Sequence, residues 1–363
     1  MSRRRSRGEG SLYFIEKKGL WVSQVTLPDG TRKVKYGKRQ KEVREHHVAT
    51  LNALRQGMLA KDDTITVQEF FTNYIETVGK QTLRPRTQEM YASFLKVHII
   101  PSLGRLKLKD LRPDHLQTFY AQKLEQGLSK RTVQLLHGTI RRALNQAVSW
   151  GLIQRNVCSL VKAPRPVKKA ATFYTKEQLN AFLSAVREHR WYLIYLLLVY
   201  GGFREGEVLG IHVEDCDMVN RVINVRHAVL TLKGGLVITE PKTKSSKRAV
   251  TLPKVAYEKL KKHLEQLDRK AGLIFTTSSG RPISPRNLIR HFKETLVATG
   301  LPDIRVHDLR HSHASLLLAS GVNPKLVQER LGHASITLTL DTYSHVIPGL
   351  QEEVARKMDD LME

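Results

Sequence analysis

Hydrophobic positions change period along this chain. From Leu12 to Tyr36 they fall in short runs, Leu12 to Ile15, Trp21 to Val25 and Arg32 to Tyr36, set apart by Gly19 and by Pro28-Asp29-Gly30. Short apolar runs between turn residues predict three strands. In the third, Arg32, Val34 and Tyr36 alternate with Lys33 and Lys35. A helix is predicted from about Lys41, stopping near Gly57. After Asp62-Asp63-Thr64 the period turns helical, with Val67, Phe70, Phe71, Tyr74 and Ile75 on one stripe. Pro85 and Pro101 are expected to break this stretch into further helices. Ser129 is the predicted N-cap of the last one, which carries Val133, Leu136, Ile140, Leu144 and Val148 on one face and Gly151 at its C-cap. Lys130, Arg131, Arg141 and Arg142 fall off that face.

Pro164-Arg165-Pro166-Val167-Lys168-Lys169 has no apolar period and reads as an extended basic linker. Thr175 and Gln178 then have the spacing of a capping box, ahead of Leu179, Phe182, Leu183 and Val186 on one face. The run from Trp191 to Tyr200 is apolar all round, which predicts a helix buried on every side. It is too short to span a bilayer. Strands are expected around Arg221 to Val225, Ala228 to Leu232, Leu236 to Thr239 and Arg248 to Leu252, with Gly234-Gly235 as a hairpin signal. The pattern predicts a multidomain chain, mainly α with small β elements. Its segments are residues 1–60, a helical block at 62–163, the linker at 164–171 and a mixed α/β block at 172–363.

Charge narrows the partner. With 60 Lys and Arg against 34 Asp and Glu, the formal net charge is +26. Such an excess repels itself unless a polyanion neutralises it, and nucleic acid is the first candidate. The two cysteines, Cys158 and Cys216, make neither a disulfide framework nor a metal pair. They point to a reducing cytosol, and the arginine-rich segment Met1 to Gly10 lacks the apolar core of a signal peptide.

The candidate chemistry is concentrated in three places. Gly202-Phe203-Arg204-Glu205-Gly206-Glu207 supplies one arginine, His307-Asp308-Leu309-Arg310 a histidine and a second arginine, and Leu331-Gly332-His333 a histidine ten positions before Tyr343. Guanidinium is planar, bidentate and always charged, and so suits the oxygens of a phosphate. A phenol hydroxyl can attack phosphorus, given a positive site to favour its ionisation. Taken singly, each has a plainer reading: Arg204 as a helix-end ion pair, His307 and Arg310 as packing, His333 as a cap, Tyr343 as core. His307, His311 and His313 do not read as a metal site, because no carboxylate sits at a ligand position on that face.

Together, in this order and spacing, these segments resemble those of the tyrosine recombinase (phage-type integrase) family. The likeness is close over the C-terminal half and looser before it. It implies a larger three-domain integrase: a small N-terminal DNA-binding domain of three strands against one helix, a helical core-binding (SAM-like) domain and a mixed α/β catalytic domain. It also implies a catalytic set of Arg204, Lys242, His307, Arg310 and His333, with Tyr343 as nucleophile. For the proton donor to the leaving oxygen, composition leaves Lys242, Lys244 and Lys247 open; the family's lysine followed by threonine matches Lys242. Its segment, Glu240 to Arg248, lies between two strand signals, so it is expected to form or flank a hairpin turn. Two departures stand out, Phe203 before the first arginine and Gly206 two places after it, where many relatives carry leucine or methionine and serine.

The implied function is a site-specific recombinase of a phage or mobile element. Strands are exchanged through a 3′-phosphotyrosyl bond and a Holliday junction, by a homotetramer on double-stranded attachment sites. Accessory DNA-bending or excision proteins are expected partners, and a membrane is not. Conserved bond energy makes a nucleotide cofactor unnecessary, and no phosphate-binding Gly-x-x-x-x-Gly-Lys-Ser/Thr loop occurs. No metal or other cofactor is expected either. A type IB topoisomerase-like enzyme and an inactive DNA-binding regulator are the alternatives. The tail from Val346 to Glu363, with Leu350, Val354 and Met358 at helical spacing, is expected to dock on a neighbouring protomer.

Overall fold

The computed structural model describes residues 10–26, 32–55, 64–166, 172–240, 247–267, 271–343 and 350–362. The chain forms two compact units, Met1–Lys168 and Lys169–Glu363. It is mainly α-helical with small sheets.

In the first unit, β1 (Ser11–Ile15), β2 (Leu20–Thr26) and β3 (Arg32–Gly37) pair antiparallel in that order, as the short apolar runs predicted. Helix α1 (Gln40–Arg55) packs on β2, burying Val22, Val25 and Val43. A hydrogen bond of 2.9 Å between Ser23 Oγ and His47 Nδ1 pins the helix to the sheet. Edge strand β3 leaves Val34 and Tyr36 exposed beside its cations. The expected end of α1 at Gly57 lies outside the described residues.

The helical part starts at α2 (Val67–Tyr74), capped by Thr66 and Glu69 in a reciprocal pair: the Thr66 N–H donates to Glu69 Oε2 at 2.8 Å and the Glu69 N–H to Thr66 Oγ1 at 3.2 Å. Pro85 and Pro113 open elements here: Pro85 starts α3 (Pro85–Phe94) and Pro113 starts α4 (Pro113–Glu125), whereas at Pro101 the helical run continues from Leu95–Ile99 into Ile100–Leu103 without the expected break. Proline lacks only a donor that the first turn leaves unpaired anyway. Ser129 caps α5 (Lys130–Ser149) as expected, accepting the Thr132 N–H at 3.1 Å. Val133, Leu136, Ile140 and Leu144 are fully buried, but the stripe ends on Ala147, with Val148 only partly covered. Lys130, Arg131, Arg141 and Arg142 are exposed.

In the second unit α6 (Lys176–Ala185) starts from the predicted box, with the Thr175 N–H donating to Gln178 Oε1 at 2.9 Å. Helix α7 (Tyr192–Gly201) is the buried helix that its composition required, with Ile194, Tyr195 and Leu197 at 0% exposure. The short α8 (Glu205–Leu209) follows, then two small sheets. One runs in the order β4 (Cys216–Asp217), β5 (Val222–Val225) and β8 (Arg248–Thr251); the other is the hairpin of β6 (Ala228–Leu232) and β7 (Gly235–Thr239). Its turn is Lys233-Gly234, one position before the expected pair, with Gly235 at φ +120° closing it. Strand β5 starts one residue late, because Arg221 has φ +56°. Strands β7 and β8 belong to different sheets, and Lys242, between them in sequence, lies outside the described residues. Helices α9 (Lys254–Glu265), α10 (Pro285–Thr299), α11 (Val306–Ala319), α12 (Pro324–Leu331), α13 (Ile336–Tyr343) and α14 (Leu350–Met362) complete the unit.

Candidate active site

Two helix ends and one helix start build the site. Where α7 ends, Gly202 takes φ +64°, and a Cβ there would lie 2.5 Å from His313 Cδ2. Only glycine turns the chain at that point. Arg204 follows as the N-cap of α8. Its N–H donates to Glu207 Oε2 at 3.0 Å and its Nη1 to Glu207 Oε1 at 2.5 Å. Glu207 is buried at 4% exposure; burial alone would raise its pKa, but the Arg248 and Arg204 guanidinium groups reverse this and hold it at about 2.

Arg310 lies on α11 and is 1% exposed. Its Nη1 donates to the Gly202 carbonyl at 2.7 Å, and its Nη2 to the Leu331 carbonyl. One buried guanidinium thereby ties the turn before Arg204 to the end of α12, just ahead of His333. Beyond Gly332 at φ +65°, the His333 N–H donates to Gln328 O at 3.1 Å, and its Nδ1 lies 2.9 Å from Thr339 Oγ1. Burial first, then the charges of Arg310 and Arg204, lower the His333 pKa to about 3. His307, in the first turn of α11, stands edge-on to His311 with ring centres 5.1 Å apart. It keeps an exposed edge, yet desolvation by its packed neighbours, then His311, Arg310 and Arg204, lower its pKa. The charges of Arg204, and of Arg310 from the interior, thus reach both imidazoles, and the lowered pKa values favour their neutral forms at pH 7.

Two predicted residues stand differently. Lys242 and its rival Lys244 lie outside the described residues, while Lys247 pairs with Glu240 at 2.7 Å on the surface. Tyr343 closes α13, one turn beyond Thr339; its ring is not among the described side chains.

Behind the site runs a network that the sequence reading missed. Arg248 clasps Glu207 with both Nη atoms, at 3.2 and 2.9 Å, donates from Nε to the Arg330 carbonyl at 2.6 Å, and lies over the Phe203 ring at 5.8 Å. Phe203 thus gives an arginine an aromatic face, which leucine does not. Arg330 in turn donates from Nε to His313 Nε2 at 3.0 Å and from Nη2 to Tyr200 O at 2.9 Å. His313 Nδ1 donates to Val199 O at 2.9 Å. Burial and then Arg330 lower the His313 pKa to about 3, so this histidine is a neutral strut. Arg248 gave no signal because it ends a run of surface-like cations, and pairing across β8, α8 and α12 is invisible to local spacing.

The pattern of the phage integrase family matches residues 172–348, and that of the phage integrase N-terminal SAM-like domain matches residues 66–124. A tyrosine recombinase XerC-like protein of Caldanaerobacter subterraneus subsp. tengcongensis is 28% identical over 91% of this chain and 92% of its own. Among solved structures, the Tn1549 transposon integrase in complex with a circular-intermediate DNA is similar with a TM-score of 0.70 and 22% identity, over 82% of this chain and 100% of that one. A lambda integrase tetramer bound to a Holliday junction is similar with a TM-score of 0.58 and 19% identity, over 92% of this chain and 98% of that one. The chain belongs to the phage integrase family of tyrosine recombinases.

Proposed function

We propose that this chain is a site-specific integrase of a phage or mobile element that breaks and rejoins DNA through Tyr343. The observation that carries the reading is the convergence of Arg204, Arg310, His307 and His333 on one region, with α13 leading from Thr339, the partner of His333, to Tyr343 one turn later. The Tyr343 oxygen attacks phosphorus in line, and its proton passes to a neutral imidazole, His333 or His307. Charge on the non-bridging oxygens meets the guanidinium groups, fixed in place before the reaction begins. The 5′ oxygen leaves with a proton from Lys242, the 3′ phosphate stays on Tyr343, and a 5′ hydroxyl of a partner duplex reverses the step. No bond energy is lost, so the reading needs neither metal nor nucleotide.

Residues 1–60 serve as an arm-type DNA-binding domain, 62–163 as the core-binding domain, 164–171 as the basic linker and 172–363 as the catalytic domain. Four protomers act on two DNA sites, with accessory bending or excision proteins, in the cytoplasm of a prokaryote. The lambda integrase tetramer on a junction supports the assembly, and the exposed Met358, Leu361 and Met362 of α14 suit contact with a neighbouring protomer.

A nicked suicide duplex carrying the junctions that flank the element tests the chemistry. Wild-type protein should give a protein–DNA adduct that survives denaturation, and Tyr343→Phe should give none. An adduct in that variant reassigns the nucleophile. Plasmid relaxation without strand exchange would favour the topoisomerase-like alternative.

A further inference from the structure

At the end of α8 the chain runs hard against β6, and a Cβ on Gly210 would lie 2.8 Å from Ala228 Cα. This approach brings His212 and Asp215 beside His227. Asp215 is 1% exposed. Its Oδ2 accepts the His212 N–H at 3.1 Å and lies 3.0 Å from His227 Nδ1 and 3.8 Å from His212 Nδ1. The imidazole centres are 4.3 Å apart, and one ligand atom from each of the three residues falls within 4.8 Å of the others. A carboxylate that caps the turn explains the bond to the His212 N–H. It does not explain two imidazoles gathered on the same oxygen.

We infer that His212, Asp215 and His227 form a site for a divalent transition-metal ion of the zinc class. Two ligands at 2.0–2.1 Å on a tetrahedral ion lie about 3.3 Å apart, and the oxygen–nitrogen separations of 3.0 and 3.8 Å bracket that spacing. Two imidazoles and one carboxylate suit zinc, cobalt or nickel better than magnesium or calcium, which take oxygen ligands. Arg226 Nε approaches the other oxygen, Oδ1, at 3.9 Å and leaves Oδ2 to the histidines. Its side chain is 58% exposed, so water screens its charge. The same His212 Nδ1 donates to Gly210 O at 3.0 Å while it carries a proton, and binding the ion replaces that hydrogen bond. Each nitrogen that binds the ion gives up its proton if it carries one, and water fills the remaining position. The ion staples the turn after α8 to the residue before β6, and so braces the helix that carries Glu207. It takes no part in breaking DNA.

The full-length chain, stripped with a chelator and dialysed, is titrated with Zn²⁺ alone against a chromophoric indicator. One tightly bound equivalent and a higher thermal midpoint are expected. Both should vanish in His212→Asn with His227→Asn, whose fold is checked by circular dichroism, and both should persist in His307→Asn with His311→Asn. X-ray absorption of the wild-type zinc form should give a nitrogen and oxygen shell with imidazole scattering. Absence of binding, binding retained in the first double variant or lost in the second, or a sulfur shell overturns the site.

Discussion

Arg310 organises the site more than it lines it. It is 1% exposed and bonded to the Gly202 and Leu331 carbonyls, so its charge reaches the site from inside, whereas the Arg204 side chain is 36% exposed. The two arginines should therefore fail differently. Arg204→Ala is expected to lower cleavage about 10²–10³-fold with binding kept and only a small loss of stability, because Glu207 keeps both Nη bonds from Arg248. Arg310→Ala should lose cleavage and also about 2–3 kcal/mol of stability, because buried carbonyls lose their donors. Urea unfolding beside suicide-substrate cleavage separates the two, and equal stability losses would count against this division of roles. His313 gives a pH signature. Its pKa falls from about 6.5 unfolded to about 3 folded, so its contribution to stability is complete above about pH 6.5 and is lost as pH falls toward 3. Stability should drop by up to about 1.4 kcal/mol per pH unit across that window for this one proton. His313→Asn, which can still donate to Val199, should flatten the slope; an unchanged slope would remove His313 as its source.

Among the elements, the contact of α8 with β6 decides what its sequence could not. Gly206 reads locally as a weakened helix position that has lost a hydroxyl, so serine there looks like an improvement. In the fold a Cβ on Gly206 would sit 2.6 Å from the Val229 carbonyl oxygen, which is backbone and cannot swing aside. Gly206→Ser should therefore destabilise by about 1–3 kcal/mol, and a gain in thermal midpoint would refute the close approach. The same logic explains other differences. Caps at Ser129 and Thr175 were legible because a cap is a local bond over three residues. The separation of β7 from β8 was not, because strand pairing depends on partners far along the chain.

For the molecule as a whole, the net charge of +26 sets a long-range preference for polyanions that no single lysine supplies. Binding to duplex should weaken linearly in log Kd against log salt concentration. Replacing both Arg141 and Arg142 with Gln should make that slope shallower by up to about 2 if both meet phosphates; an unchanged slope would make them an ordinary solvated face. Deleting residues 350–362 should leave single-site binding intact and reduce the assembly of two sites, read by sedimentation of the protein–DNA complex. Unchanged assembly would place α14 on its own protomer.

The sequence by itself determined the helical and strand periods, the caps, the charge and the order of the candidate catalytic residues, because each is written in neighbouring positions or in a sum over all of them. Only the tertiary structure decided that Arg310 works from the interior, that Phe203 serves Arg248, that Gly206 has no room for a side chain, and that two histidines share Asp215. Those facts depend on distances between residues remote along the chain, and a covalent sequence carries no distances until packing supplies them.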